Sequence, residues 1–234
     1  MSYDTSYSYR TSSLEYDMGL RNFMLQVYNY MTFALAISGL VAVGLSMSPA
    51  LMAAIWTTNL KWVVVFLPLV MSFGYAFLFD KMSLTTAKIG LFLFAAAMGL
   101  SLSSIFMIYK LGSIVSVFFI SAATFGTASL YGYVTKKDLT TFGSFLIMGA
   151  LGLCIASVVN IFLQSSVFAF AISCLGVLIF TGLTAYDTQM LKATYDETYG
   201  EEREKAGVFG ALQLYMDFIN IFISLIQILG DKKE

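Results

Sequence analysis

Val208–Leu229 reads VFGALQLYMDFINIFISLIQIL. A helix of that length crosses the roughly 30 Å of a bilayer's hydrocarbon. It holds one carboxylate, Asp217, near its middle, and no basic side chain. Gln213, Asp217, Asn220, Ser224 and Gln227 recur at intervals of 4, 3, 4 and 3, which a helix gathers into one polar stripe. Lipid satisfies no such stripe, so the segment should be surrounded by other helices or line an aqueous path. Gln213, Asn220 and Ser224 are therefore candidate pore-lining residues beside Asp217.

Six more apolar segments precede it: Phe23–Leu45, Trp62–Phe79, Ile89–Tyr109, Ile114–Val134, Phe142–Leu163 and Val167–Tyr186. The chain is 59% hydrophobic and only 12% charged, against about 25% charged in soluble domains. The connections are too short for a soluble domain. The predicted fold is an all-α integral membrane protein, a seven-transmembrane-helix bundle with a central C-terminal helix. It occupies residues 21–230, after a Ser- and Tyr-rich tail (1–20) expected to be disordered and before a short C-terminal tail (231–234).

Placing the N-terminus inside puts Arg10, Arg21, Lys81, Lys88, Lys136, Lys137, Lys192, Arg203 and Lys205 on the inner side. Lys61, Lys110, Lys232 and Lys233 fall outside. Nine against four predicts a cytoplasmic N-terminus and, after seven crossings, an external C-terminus. The first segment is too long for a cleavable signal. A net charge of −1 excludes nucleic acid as an expected partner; the bilayer is the expected one.

The pairs Ala122/Gly126, Ala128/Gly132 and Gly152/Ala156 have the spacing that lets helices approach closely in lipid. Pro68 should kink the second helix. Cys154 and Cys174 read as small packing residues. Lys192–Ala206, with its run of alternating charge, is the one long polar connection, and reads as a solvated helical turn.

Asp187 stands directly at the inner end of the sixth segment, so it and Asp217 form a pair of carboxylic acids in or beside the last two spans. The sixth and seventh helices are antiparallel and set the pair one to two turns apart in depth, close enough to meet with modest tilt. Two carboxylates in contact cannot both ionise cheaply, so such a pair should share a proton. The alternative is that each binds hydroxyl or backbone groups separately, through Thr184, Tyr186 or Asn220, and only glues helices. The chain has no His, which removes imidazole zinc ligands and a serine–histidine dyad. An intramembrane aspartyl protease would want glycine beside its second aspartate, where Tyr215 and Met216 stand here. No catalytic residue and no cofactor are expected.

Phe180–Gln189 reads FTGLTAYDTQ, Gly210–Phe222 reads GALQLYMDFINIF, and Tyr131–Leu139 reads YGYVTKKDL, with ASVVNIFL closing the fifth segment. From Arg21 to Leu229 the chain resembles the bacterial branch of the Bax inhibitor-1 family, also called the transmembrane Bax inhibitor motif family. The resemblance implies a last helix wrapped by the other six, and a bacterial inner-membrane location. It also implies a calcium leak whose pore is switched by protonation of an aspartate pair matching Asp187 and Asp217. Calcium is then a transported ion at a weak site, because two carboxylates fall short of the six to eight oxygens it prefers. The best-studied leak members place an arginine on the second helix; this chain has no basic residue between Lys61 and Lys81. A second implied role is modulation of a membrane-anchored AAA protease or another membrane partner.

Overall fold

The computed structural model describes the backbone of residues 3–233 and the side chains from Glu15 onward. Its helices are α1 (Tyr3–Ser46), α2 (Pro49–Trp56), α3 (Leu60–Leu78), α4 (Leu84–Leu102), α5 (Ile105–Ile108), α6 (Leu111–Val134), α7 (Thr140–Leu163), α8 (Ser166–Glu197) and α9 (Gly200–Leu229). Seven helical spans are long and apolar enough to cross a membrane, with α4 and α5 together making the third. The all-α, seven-helix expectation holds.

Apolar burial drives little helix association in lipid, because acyl tails are as apolar as leucine. What separates inside from outside here is how much of each helix neighbours cover. In its most apolar stretch α9 is 61% buried, against 17% for the span built on α3 and 11% for α7. The C-terminal helix is thus the core, as predicted. Phe77, Phe162 and Val167, each more than three-quarters exposed, belong to an apolar outer surface suited to lipid.

The enclosure differs from the six-helix wrapping implied by the resemblance. α9 packs along α8, α1, α6 and α4, whereas α3 lies on α4 and α7 on α8. α3 and the turn after it meet α9 through aromatic side chains: Tyr75 stacks on Phe209, and Phe79 packs tilted against it. Of the small-residue pairs, only Ala128/Gly132 makes the expected close contact. A Cβ on Gly132 would overlap the Ala185 carbonyl, so α6 and α8 touch backbone to backbone there. Gly126 and Gly152 face open space instead.

Three connections are more ordered than the sequence suggested. The backbone of residues 3–20, expected as a disordered tail, continues α1. From Tyr16 on it has a ledge to dock against, because α8 runs past the apolar core: Tyr16 Oη donates to Asp196 Oδ1 at 2.5 Å and Phe23 packs on Tyr195. Within the Ser48–Lys61 stretch, α2 starts where Pro49 needs no amide partner and the Ser48 hydroxyl accepts from Leu51 N. Of the Lys192–Ala206 connection, only Thr198 and Tyr199 are non-helical. Glu201 and Glu202 suit the first turn of α9, and Arg203 donates to the Tyr195 and Thr198 carbonyls that α8 leaves open.

Both ends of the bundle are tied. At one, rich in lysine, Lys88 pairs with Glu204 at 2.7 Å and Lys205 donates to the Asp80 carbonyl at 3.1 Å. At the far end the C-terminal residues lie on the α5–α6 connection, with Lys110 N donating to Asp231 O and Lys233 N to Ile108 O.

Candidate aspartate site

The α8–α9 register is set by small residues. Gly210 lies under Leu191, Gly176 lies against the Ser224 hydroxyl, and Ser173 Oγ donates to Gln227 Oε1 at 2.6 Å. That antiparallel register puts Asp217 opposite Thr184. Asp187 is three residues on, about 4.5 Å nearer the lysine-rich end. Helical side chains lean toward their own N-terminus. The N-terminus of α8 is at the far end and that of α9 at the lysine-rich end, so the two aspartates lean toward one another. Their carboxyl groups are thereby neighbours, with Thr184 beside Asp217.

Asp217 is 4% exposed and its Oδ2 has no hydrogen-bond partner among the described residues; Asp187 is half-buried. Thr184 Oγ1 gives its single proton to the Phe180 carbonyl at 2.8 Å. No lysine or arginine lies within ion-pair distance of either aspartate among the described residues; Lys88 pairs with Glu204 and Lys192 donates to the Tyr133 carbonyl. An unpartnered carboxylate oxygen inside an apolar bundle is costly. A proton shared between the two carboxyls lowers that cost, and losing it sets like charges against each other across the α8–α9 seam.

The predicted polar stripe divides. Gln213 is exposed, and Asn220 donates back to the Met216 carbonyl at 2.9 Å. Asn220 and Gln227 line a cleft of about 450 Å³ walled by Pro68 and Ser72 of α3 and by Ser101 of α4. Ser224 does not line this cleft; it is buried against Gly176. Nor does either aspartate: the α9 residues that line it are Met216, Asn220, Ile223, Ile226 and Gln227. Outside the cleft's lining, toward the lysine-rich end, Phe79 and Phe209 pack with ring centroids 4.7 Å apart beside Tyr75, whose hydroxyl donates to the Ala87 carbonyl.

A hydroxyl chain behind the pair was not foreseen. Tyr28 Oη and Ser129 Oγ are 2.6 Å apart, Ser129 Oγ and Thr188 Oγ1 are 3.0 Å apart, and Thr188 donates to the Thr184 carbonyl at 2.7 Å. It ties α1 and α6 to the turn of α8 that carries Asp187. The signal in sequence was Thr184 and Thr188, four apart on one helix face. No group of three or more His, Cys, Asp or Glu positioned to hold a metal occurs among the described residues. Cys154 and Cys174 are free.

The family model described as inhibitor of apoptosis-promoting Bax1 matches residues 20–234. The chain is 38% identical over 219 residues to the inner membrane protein YbhL of Escherichia coli K12, covering 92% of this chain and 94% of that one. It is 41% identical over 220 residues to the Rickettsia prowazekii protein RP147, covering 94% and 93% of the two chains. A Caulobacter vibrioides relative is 43% identical over 234 residues, with 95% and 94% covered. A single matched unit thus spans the helices that build both the bundle and the aspartate site, and the chain is a multi-pass membrane protein of the Bax inhibitor-1 family.

Proposed function

We propose that this protein is a pH-sensitive cation leak of the bilayer, with calcium as its transported ion and the Asp187–Asp217 pair as its switch. The observation that carries the reading is a buried carboxyl, Asp217, with one oxygen unpartnered and a second carboxyl beside it. With the shared proton in place, α8 and α9 are held together. Loss of the proton sets two charges in a low-dielectric seam and drives the helices apart, so flux rises as pH rises. The carboxylates then act as a weak divalent site, which suits an ion that must leave as well as enter. The cleft at Asn220 is the vestibule on the far side, and Phe209 with Phe79 is the constriction below it. Inside-negative potential drives a divalent ion inward by roughly 4.6 kcal/mol per 100 mV. The reading assigns no catalytic chemistry.

In this reading the protein sits in a bacterial inner membrane with its lysine-rich end in the cytoplasm, N-terminus inside and C-terminus outside. The charge bias and the YbhL relative support that placement. Reporter fusions at Lys136 and Glu202 should report inside, and fusions at Lys110 and the C-terminus outside.

The direct test is calcium flux into liposomes holding the purified protein, followed across the acid-to-neutral range. Asp187→Asn and Asp217→Asn should each flatten the pH dependence, because neither leaves two titrating groups in contact. An unchanged profile in both variants, or a flat one in Glu201→Gln or Glu204→Gln instead, would sink the aspartate switch. Flux equal to protein-free liposomes at every pH would remove the channel itself.

A further inference from the structure

α1 and α6 do not pack along one another, and the gap between them is a groove of about 510 Å³. Its walls are Met24, Leu25 and Tyr28 on α1 and Phe125, Leu130 and Tyr133 on α6. Leu25 and Leu130 form exposed lips, so the groove opens sideways toward lipid. Gly126, on the α6 wall, has open space where a Cβ would stand. The rim at the lysine-rich end carries Arg21, exposed and with no ion-pair partner among the described residues. Behind the α6 wall Lys192 of α8 lies 5.1 Å from the centroid of the Tyr133 ring and donates to the Tyr133 carbonyl. The floor is polar, made by the Tyr28–Ser129 hydroxyl pair.

We propose that this groove binds one anionic phospholipid from the leaflet at the lysine-rich end. Its phosphate sits on Arg21, Tyr28 Oη meets the glycerol ester level, and one acyl chain runs along Leu25, Phe125 and Leu130. Charge complementarity selects the headgroup: an unpaired guanidinium at headgroup depth and no carboxylate among the groove's lining residues. The apolar walls select a lipid over a soluble anion. From Arg21 to Tyr28 the groove descends about 10 Å, a third of the hydrocarbon thickness, which places the arginine at the interface and the phenylalanine among acyl carbons.

The site adjoins the aspartate switch. Tyr28 and Ser129 continue through Thr188 to the turn of α8 that carries Asp187. A lipid pressing on this floor would bias that turn, a consequence that rests on the leak reading; binding itself does not.

Binding is read by native mass spectrometry of the purified protein titrated with dioleoyl-phosphatidylglycerol or dioleoyl-phosphatidylcholine, which share acyl chains and differ in charge. The wild type should retain the anionic lipid about fivefold more strongly, as one basic residue near an anionic surface implies. Arg21→Gln should erase that preference. Gly126→Leu, which points into open space, should fill the groove and lower retention of both lipids while leaving the unfolding temperature in lipid-free detergent unchanged. Equal retention of the two lipids by the wild type would overturn the proposal in favour of an unselective lipid annulus. So would wild-type retention in Gly126→Leu, which would mean headgroup attraction without a groove. Selective lipid binding together with pH-independent flux would instead remove the leak switch and leave the lipid site standing.

Discussion

The two sides of α9 carry similar polar residues and treat them in opposite ways. Toward α8, Gly176, Gly210 and Thr184 bring the helices so close that Asp217 and Ser224 are sealed from solvent. Toward α3, side chains stand apart and Asn220 and Gln227 border an open cleft. What a polar group can do is set by the gap it faces. In the tight seam a carboxyl must find a proton or a partner; at the cleft an amide can meet water or an ion. In the leak reading proposed above, one helix then carries the switch on one flank and the vestibule on the other.

The largest effect should come from removing the aromatic cluster proposed as the constriction. Phe209→Ala removes ring contacts with both Tyr75 and Phe79, pairs worth about 0.5–1.5 kcal/mol each. Calcium flux should rise severalfold at acid pH while the pH dependence survives, because the aspartate pair is untouched. Unchanged flux in a folded variant would show that the aromatic cluster is not a constriction. A profile that flattened as well would merge the two flanks into one device.

The tight flank is tested by Gly176→Leu, whose side chain would occupy the Ser224 position. Overpacking of this kind costs about 1–3 kcal/mol, read as a lower unfolding temperature in detergent. Gly152→Leu on α7, facing open space, is the matched control and should leave unfolding unchanged. Equal effects at the two glycines would mean that the seam is no tighter than the rim.

Much of this contrast was legible in the sequence. The spacing of Gln213, Asp217, Asn220, Ser224 and Gln227 marked α9 as the core helix before any packing was known, because lipid accepts no such face. The meeting of Asp187 and Asp217 followed from antiparallel helices of known rise. What the pattern could not reveal was the division of the stripe. Periodicity places residues on a face but does not say where neighbouring helices leave gaps, and Asp217 and Asn220 differ by only 60° around the axis. Gly126, Gly132 and Gly152 make the same point. All three have packing spacing, yet only Gly132 meets a backbone, since a small residue permits contact without requiring it. The hydroxyl chain from Tyr28 to Thr188 joins three helices distant in sequence, and no local signal announces such a junction.

Thr188→Val cuts that chain while keeping shape. It should lower stability by about 0.6 kcal/mol per lost bond and loosen the α8 turn at Asp187, shifting the pH at which flux is half-maximal without abolishing the response. Loss of the response altogether would promote Thr188 from a positioning residue to part of the switch. No shift with normal stability would reduce the chain to a by-product of packing.

The smallest changes separate vestibule from glue on α9 itself. Asn220 bonds only to its own helix, through the Met216 carbonyl, and its side chain borders the cleft. Asn220→Ala should therefore alter flux per folded molecule and leave the unfolding temperature nearly unchanged. Ser224 is buried against Gly176, so Ser224→Ala should lose only packing, with flux per folded molecule intact. Ile221→Ala, buried away from both, should lower stability alone. The contrast fails if Asn220→Ala behaves like Ile221→Ala, with stability lost and flux kept. The open flank would then be a gap between helices and not a path, and the ion route would have to be sought along the seam that holds the aspartates.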